Sequence, residues 1–372
     1  MNTSALVAML LCGAPSSDAA AVSTAPVVLQ TARRRGVGEL REAFVSAVDD
    51  APRRAALENL SRTAPESLRD VSSLFDLYTR FSQGGTREAV MASLDRLDGR
   101  SISLEPAFVE YIKLNESEAR IFGIHGALRL RAPRALPLIR KLAEKRFEYR
   151  SPGESPVLSD KNAWWAQYAA LDALAQWQGP AVLPLLRKKA AEAPMVARIM
   201  AEHLWKDSLP DIIGWAGGRG AAKERAHEAL TAEVPNSALR ATRARMLTVL
   251  RDPKADRELR HQFAIKVGLC STPEELDLLL ADEAAAKDQE VKLSLRAALF
   301  ASRSPRTVPW LKGLAAKDPD PKMRMGALLQ LRLLLAAAEL RPLLEEAAAK
   351  DPDADNRQSV ESLLKDPDPT AP

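Results

Sequence analysis

Cysteine is almost missing from this chain: among 372 residues only Cys12 and Cys270 carry a thiol. Two thiols so far apart, the first in a segment expected to be removed, make no disulfide framework, and stability has to come from packing. Aromatic residues amount to 5% and glycine to 17 residues, while Ala, Leu and Arg recur throughout, a balance that favours helices and leaves almost no strand. The longest apolar run, Ala5 to Ala14, falls well short of the roughly 20 residues that a membrane-spanning helix needs. No long polar low-complexity region is present, so disorder is expected only at the ends. The formal charge of +4 is too small to imply a nucleic-acid partner unless the cations cluster.

The chemistry that an enzyme needs is also scarce. His125, His203, His227 and His261 stand singly, with no HExxH and no neighbouring cysteine, so no local metal-ligand spacing exists. There is no GxSxG, and Cys270 has no context of a nucleophile and reads as a buried structural thiol. Gly217-Gly218-Arg219-Gly220 lacks the Lys-Ser/Thr and the preceding strand of a phosphate loop, which makes it a turn between helices. The acids fall in caps and turns. These patterns predict no enzyme, no cofactor and no resident metal.

What is present is a repeat. From Pro309 and again from Pro342, 33 positions on, the chain runs Pro, an apolar pair, small apolar residues, then Lys-Asp-Pro-Asp. Leu311 matches Leu344, Lys317 matches Lys350, Asp318 matches Asp351, Arg324 matches Arg357 and Leu331 matches Leu364. Val308, Leu311, Leu314 and Ala315 make one helical stripe. Lys317 then meets the carbonyl end of that helix and Asp318-Pro319 stops it. Asp320 is placed to cap a second helix with Pro321 in its first turn, along which Met323, Ala327, Leu331 and Leu334 recur. Two helices of about 10 to 15 residues cannot enclose a core, so such a pair must stack on neighbours. Val291, Leu295 and Leu299 anticipate Met323, Ala327 and Leu331 by 32 residues.

Taken in order, Ala5–Ala14 followed by Ala19-Ala20-Ala21 predicts a signal peptide over residues 1–21, and with it export or a periplasmic location; without such a signal the protein is cytoplasmic. Residues 22–36 form a linker. The helical domain is expected over residues 37–366, and residues 367–372 form a disordered tail. Its first stripe is Val37, Leu40, Phe44 and Val48, and Pro52 opens the next helix. Thr63 with Glu66 has capping-box spacing ahead of Leu68, Val71, Phe75 and Tyr78, and so have Asn115 with Glu118 and Thr272 with Glu275. Leu136-Pro137 and Leu183-Pro184 are equivalent at a separation of 47 residues, and the excess over 33 is a loop inserted at residues 147–162, rich in Pro, Gly and Ser. The whole predicts about nine units.

The unit Pro309 to Leu331, with Asp-Pro-Asp before a helix that carries Arg324, resembles the HEAT repeat of the armadillo-type superhelices, particularly its bacterial versions. The resemblance is strong from Thr272 to Leu364 and weaker from Val37 onward. It implies an all-α solenoid of stacked antiparallel helix pairs that binds other proteins; some relatives act as chromophore lyases or bind damaged DNA. Two stretches are candidates for contact. From Arg120 to Arg150 nine basic residues stand against two acids, and Arg129, Arg131, Arg134 and Arg140 are placed to hold an acidic partner or, in the alternative reading, nucleic acid or a phosphate ligand. Trp164, Tyr168, Leu171 and Leu174 share one helical face as core, whereas Trp165 falls off it and has the character of an interaction hot spot. The expected function is a non-enzymatic scaffold or adaptor for a protein or peptide.

Overall fold

Apolar residues at helical spacing, broken by Pro, Gly and Asp every ten to fifteen positions, leave the chain little choice but short helices. A computed structural model of the protein describes residues 36–81, 85–146 and 163–365, and among them every regular element is a helix and none is a strand. The expected signal peptide, the linker up to residue 35, the inserted loop 147–162 and the tail 367–372 lie outside the described residues. The described chain divides into two units, one ending at Pro235 and one beginning at Asn236. No described helix is long and apolar enough to cross a membrane.

The first unit holds α1 (Val37–Ser46), α2 (Asp50–Ser61), α3 (Leu68–Arg80), α4 (Thr86–Leu94), α5 (Glu105–Lys113) and α6 (Ser117–Leu130). It continues with α7 (Leu136–Glu144), α8 (Ala163–Gln178), α9 (Leu183–Glu192), α10 (Val196–Ala216) and α11 (Ala221–Thr231). Helices pack in sequence-adjacent pairs, α1 with α2, α3 with α4, α5 with α6, α7 with α8, and α10 with both α9 and α11, while α4, α6, α8 and α10 also pack successively on one another. Phe122 on α6 is the hub of an aromatic cluster, with ring centroids 5.3 Å from Phe75 and Tyr111, 5.8 Å from Tyr78 and 5.9 Å from Phe108. Two glycines let α5 approach: a Cβ on Gly126 would lie 2.2 Å from the Phe108 ring, and one on Gly123 would lie 2.8 Å from the Phe108 carbonyl.

The second unit holds α12 (Asn236–Leu250), α13 (Arg257–Cys270), α14 (Pro273–Ala285), α15 (Gln289–Ala301), α16 (Val308–Lys317), α17 (Pro321–Leu334), α18 (Ala337–Lys350) and α19 (Ala354–Lys365). Leu311, Leu314, Ala327, Leu328, Leu331, Leu344 and Val360 are buried in one cluster with Phe300, so the stripes read from the repeat do form the core. Asp320 caps α17 by accepting from the Lys322 amide at 2.9 Å, and Thr272 with Glu275 forms the expected capping box of α14. Cys270 is buried.

The repeated Asp and Arg meet below the surface. Arg324 grips Asp351 with two parallel bonds of 2.9 and 2.7 Å, and its third nitrogen donates to the Asp318 carbonyl at 2.8 Å. Asp318 in turn accepts from Arg296 at 2.8 Å, and Arg357 donates to the Asp351 carbonyl at 2.7 Å as Arg324 does one unit earlier. Arg260 repeats the motif on the Pro253 carbonyl at 2.8 Å. Each arginine supplies donors to carbonyls that the Asp-Pro turn would otherwise leave without partners.

Several local expectations are corrected. Val48 does not extend the first stripe: α1 ends at Ser46, the chain turns extended at Ala47, and Val48 is 89% exposed. Leu68 is exposed as well, because α3 turns Val71, Leu74 and Leu77 inward. The capping box there is Ser67 with Asp70, since the Thr63 hydroxyl is already donating back to the Asn59 carbonyl at 2.9 Å. Asn115 and Glu118 form no box; α6 starts at Ser117 with Glu116 at its cap and no side-chain cap bond. Pro52 lies two residues inside α2, and Pro342 lies within α18, which begins five residues earlier at Ala337. Pro342 is exposed, so water can serve the carbonyl that its missing amide releases.

Leu331 is fully buried, so Leu331→Ala is expected to cost about 2 to 5 kcal/mol in denaturant melts. Arg324→Ala strands a buried carboxylate and is expected to cost about 3 to 5 kcal/mol. The bonds from Arg324 hold the Asp351 carboxyl at about 2, below its ordinary 3.8, despite the opposing effect of burial. Because the folded value is the lower one, the pair's contribution is complete above the unfolded value and is lost as pH falls from about 4 to about 2. Urea melts across that window should show a shallower acid loss for Asp351→Asn than for the natural protein.

Candidate functional site

The inner faces of α6 and α8 are filled by small and apolar residues: Ala119, Phe122 and Ala127 on the first, Ala166, Ala170, Leu171 and Leu174 on the second. Their opposite edges therefore carry the polar side chains, and these fall into register. Asp95 at the end of α4, His125 on α6, Asp172 on α8 and His203 on α10 are separated by 30, 47 and 31 residues, one for each of the successively packed helices. The middle separation is the same as that between Leu136-Pro137 and Leu183-Pro184. Acid and imidazole alternate along this row.

Neighbouring members pair. His125 Nε2 lies 2.8 Å from Asp95 Oδ1, which also accepts from Arg129 Nε at 2.6 Å. His203 Nε2 lies 2.6 Å from Asp172 Oδ1, and Gln176 holds the other oxygen of that carboxylate at 2.7 Å. Glu202, beside His203, accepts from Arg198 at 3.1 Å. The ligand atoms of Asp172, Glu202 and His203 all lie within 4.8 Å of one another. The helical run of α10 breaks directly afterwards, at Leu204, whose φ of −131° and ψ of 31° leave the helical region. Ser208 takes up the Met200 carbonyl there at 3.0 Å.

The two imidazoles respond oppositely to their surroundings. Burial pushes His125 below its usual value, and Arg129 adds to that while Asp95 opposes it. At His203 burial works in the same downward direction, yet the hydrogen bond and charge of Asp172, with Glu202, raise it. Burial raises Glu202 against the pull of Arg198, and it raises the Tyr168 hydroxyl, to which the charges of Glu202, Asp172 and Glu228 add.

The arginines singled out in the sequence are dispersed around this row. Arg129 belongs to it. Arg134 pairs with Glu105, whose carboxylate also accepts from the Arg134 amide at 2.7 Å. Arg131, in the left-handed region at the end of α6, donates to the Trp177 carbonyl at 3.3 Å, and Arg140 donates to Gln178 Oε1 at 3.1 Å. These two converge on the carboxyl end of α8 and bond uncharged oxygens. Trp165 is 46% exposed and stacks on Trp164, with ring centroids 3.8 Å apart. Trp164 and Tyr168 are half-buried, while Leu171 and Leu174 take the core positions.

Reading local spacing for catalytic or metal motifs passes over the row, because its members are 30 or more residues apart. Placing the units in phase by their Leu-Pro pairs would have shown it, since that shift sets His125 on Asp172. Compared with known proteins, the chain matches no family model and no curated protein.

Asp95→Asn removes the main influence that raises His125, leaving burial and Arg129 opposed only by the smaller effect of Asp172. An NMR titration of the ring protons should show the His125 value fall further, and an unchanged value would separate the two side chains in solution.

Proposed function

We propose that the protein is a HEAT-like α-solenoid of about nine helix pairs that acts as a non-enzymatic scaffold, holding a protein or peptide across successive helices. The observation that carries this reading is the row Asp95, His125, Asp172 and His203, one polar side chain from each alternate helix. Packed helices lie roughly 8 to 10 Å apart, so such a row suits an extended partner laid across them better than a small molecule sunk in a cavity. Trp165 supplies a large apolar face at one edge of α8, the kind of side chain on which binding energy concentrates. Arg131 and Arg140, whose acceptors are uncharged, provide for an acidic segment of the partner. Arg129 and Arg134 already pair with acids of the chain, which counts against nucleic acid, where affinity depends on cations free to replace counterions. Export through residues 1–21 belongs to the same proposal.

Photo-crosslinking residues placed at Trp165 and Arg140, and at Lys188 on α9 as a control, test it in extracts of the native source. Capture of one partner from the first two positions and not from the third is the expected result. Equal capture from all three, or none, refutes the surface. Oligonucleotide binding that falls steeply with salt and is abolished by Arg131→Ala and Arg140→Ala would establish the nucleic-acid reading instead.

A further inference from the structure

We infer that Asp172, Glu202 and His203 form a binding site for a divalent transition-metal cation of the Zn2+ class. The three side chains come from two helices packed side by side, α8 and α10, and their ligand atoms already lie within 4.8 Å of one another. One imidazole nitrogen with two carboxylates is a donor set for a borderline first-row ion. It is poorly matched to Ca2+ or Mg2+, which prefer oxygen alone. Three protein ligands leave further positions for water.

Three features around the donors favour a cation there. Gln176 fixes one oxygen of Asp172 at 2.7 Å and so turns the other toward His203, the orienting role that outer-shell groups play at metal centres. Asp172 and Glu202 bring two carboxylates to one place, where Arg198 is bonded to the second of them. The helical run that starts at Val196 breaks at Leu204, so its partially negative carbonyl end lies next to His203. On binding, Nε2 of His203 and Oδ1 of Asp172 give up the hydrogen they share, to solvent or to Nδ1, and both lone pairs turn to the ion. Arg198 is the competitor, since it holds Glu202 at 3.1 Å.

The equivalent position two steps earlier along the row, on α4 and α6, lacks this set. His125 and Asp95 are joined there by Arg129, a fixed cation bonded to the same Asp95 oxygen at 2.6 Å. The repeat thus offers two imidazole–carboxylate pairs, and only the second has another acid beside it in place of an arginine.

Calorimetric titration of the tag-free, chelator-treated full chain with Zn2+, and with Mg2+ as control, tests the site. One saturable Zn2+ equivalent is expected and none for Mg2+. His203→Ala and Asp172→Asn should each weaken Zn2+ about tenfold or more, and Arg198→Ala should tighten it. Wild-type affinity in either of the first two variants, or no saturable binding by the natural chain, overturns the assignment. A measurement that needs no variant is X-ray absorption at the zinc edge. A shell of nitrogen and oxygen alone is expected, and sulfur in it would move the ion to a thiol, Cys12 or Cys270, and refute the site.

Discussion

The guanidinium of Arg324 does two jobs that no lysine could combine. Its fork grips both oxygens of Asp351 while the remaining nitrogen reaches the Asp318 carbonyl, so one side chain joins the turn before its own helix to the turn of the following pair. Both partners are nearly excluded from water, with side chains 6% and 2% exposed. In that setting a mismatched neighbour would leave a buried charge unpaired, at a cost comparable to the net stability of a small domain. The apolar stripes supply attraction between helices without fixing how far one slides along another. The Arg–Asp interlock fixes it, because fork and carboxylate meet in one register only. The Asp-Pro turn and this arginine therefore depend on each other: the turn ends one helix cleanly, and the arginine satisfies the carbonyls that the ending exposes.

In the first unit aromatic rings and close backbone contact set the spacing. Gly126 admits the Phe108 ring where any side chain would collide, and Phe122 gathers four rings around it. The end of α7 is held from two sides, by Gln167 of α8 and the buried Lys189 of α9, both donating to the Lys145 carbonyl. Lys189 is matched by Glu192 at 2.8 Å. These bonds grip the chain just before residues 147–162. The consequence is visible in the row: His125 and Asp172 occupy equivalent places on α6 and α8 although the connection between them carries the extra residues.

How much of this was legible in the sequence follows from the range of each interaction. Stripes such as Leu311, Leu314, Ala327 and Leu331 were legible because helical period is a local property, and so was the all-helical class. The box of Thr272 and Glu275 was legible for the same reason. Caps failed where two candidates lay within one turn: Thr63 and Ser67 both had suitable acids downstream, and the choice fell to Ser67 because the end of α2 had already claimed the Thr63 hydroxyl. Val48 failed because periodicity alone does not announce where a helix ends. The partners of Arg129 and Arg134 were out of reach, since Asp95 and Glu105 approach from 34 and 29 residues away. These two members of the run of nine cations looked unopposed because their acids lie outside residues 120–150.

That last point also bears on the polar row. A repeat places equivalent positions on a common edge, so a residue type there acquires its chemistry from the units on either side more than from its own sequence neighbours. His125 and His203 illustrate it: both meet an aspartate of the preceding helix, yet burial and Arg129 hold the first down while Asp172 and Glu202 raise the second. The two differ in burial, the largest influence on His125, and in one companion, an arginine one turn onward in the first case and an acid one residue before in the second. A stack of similar helix pairs can in this way hold a neutralised edge at one step and an electronegative one at the next, with no change in the packing beneath.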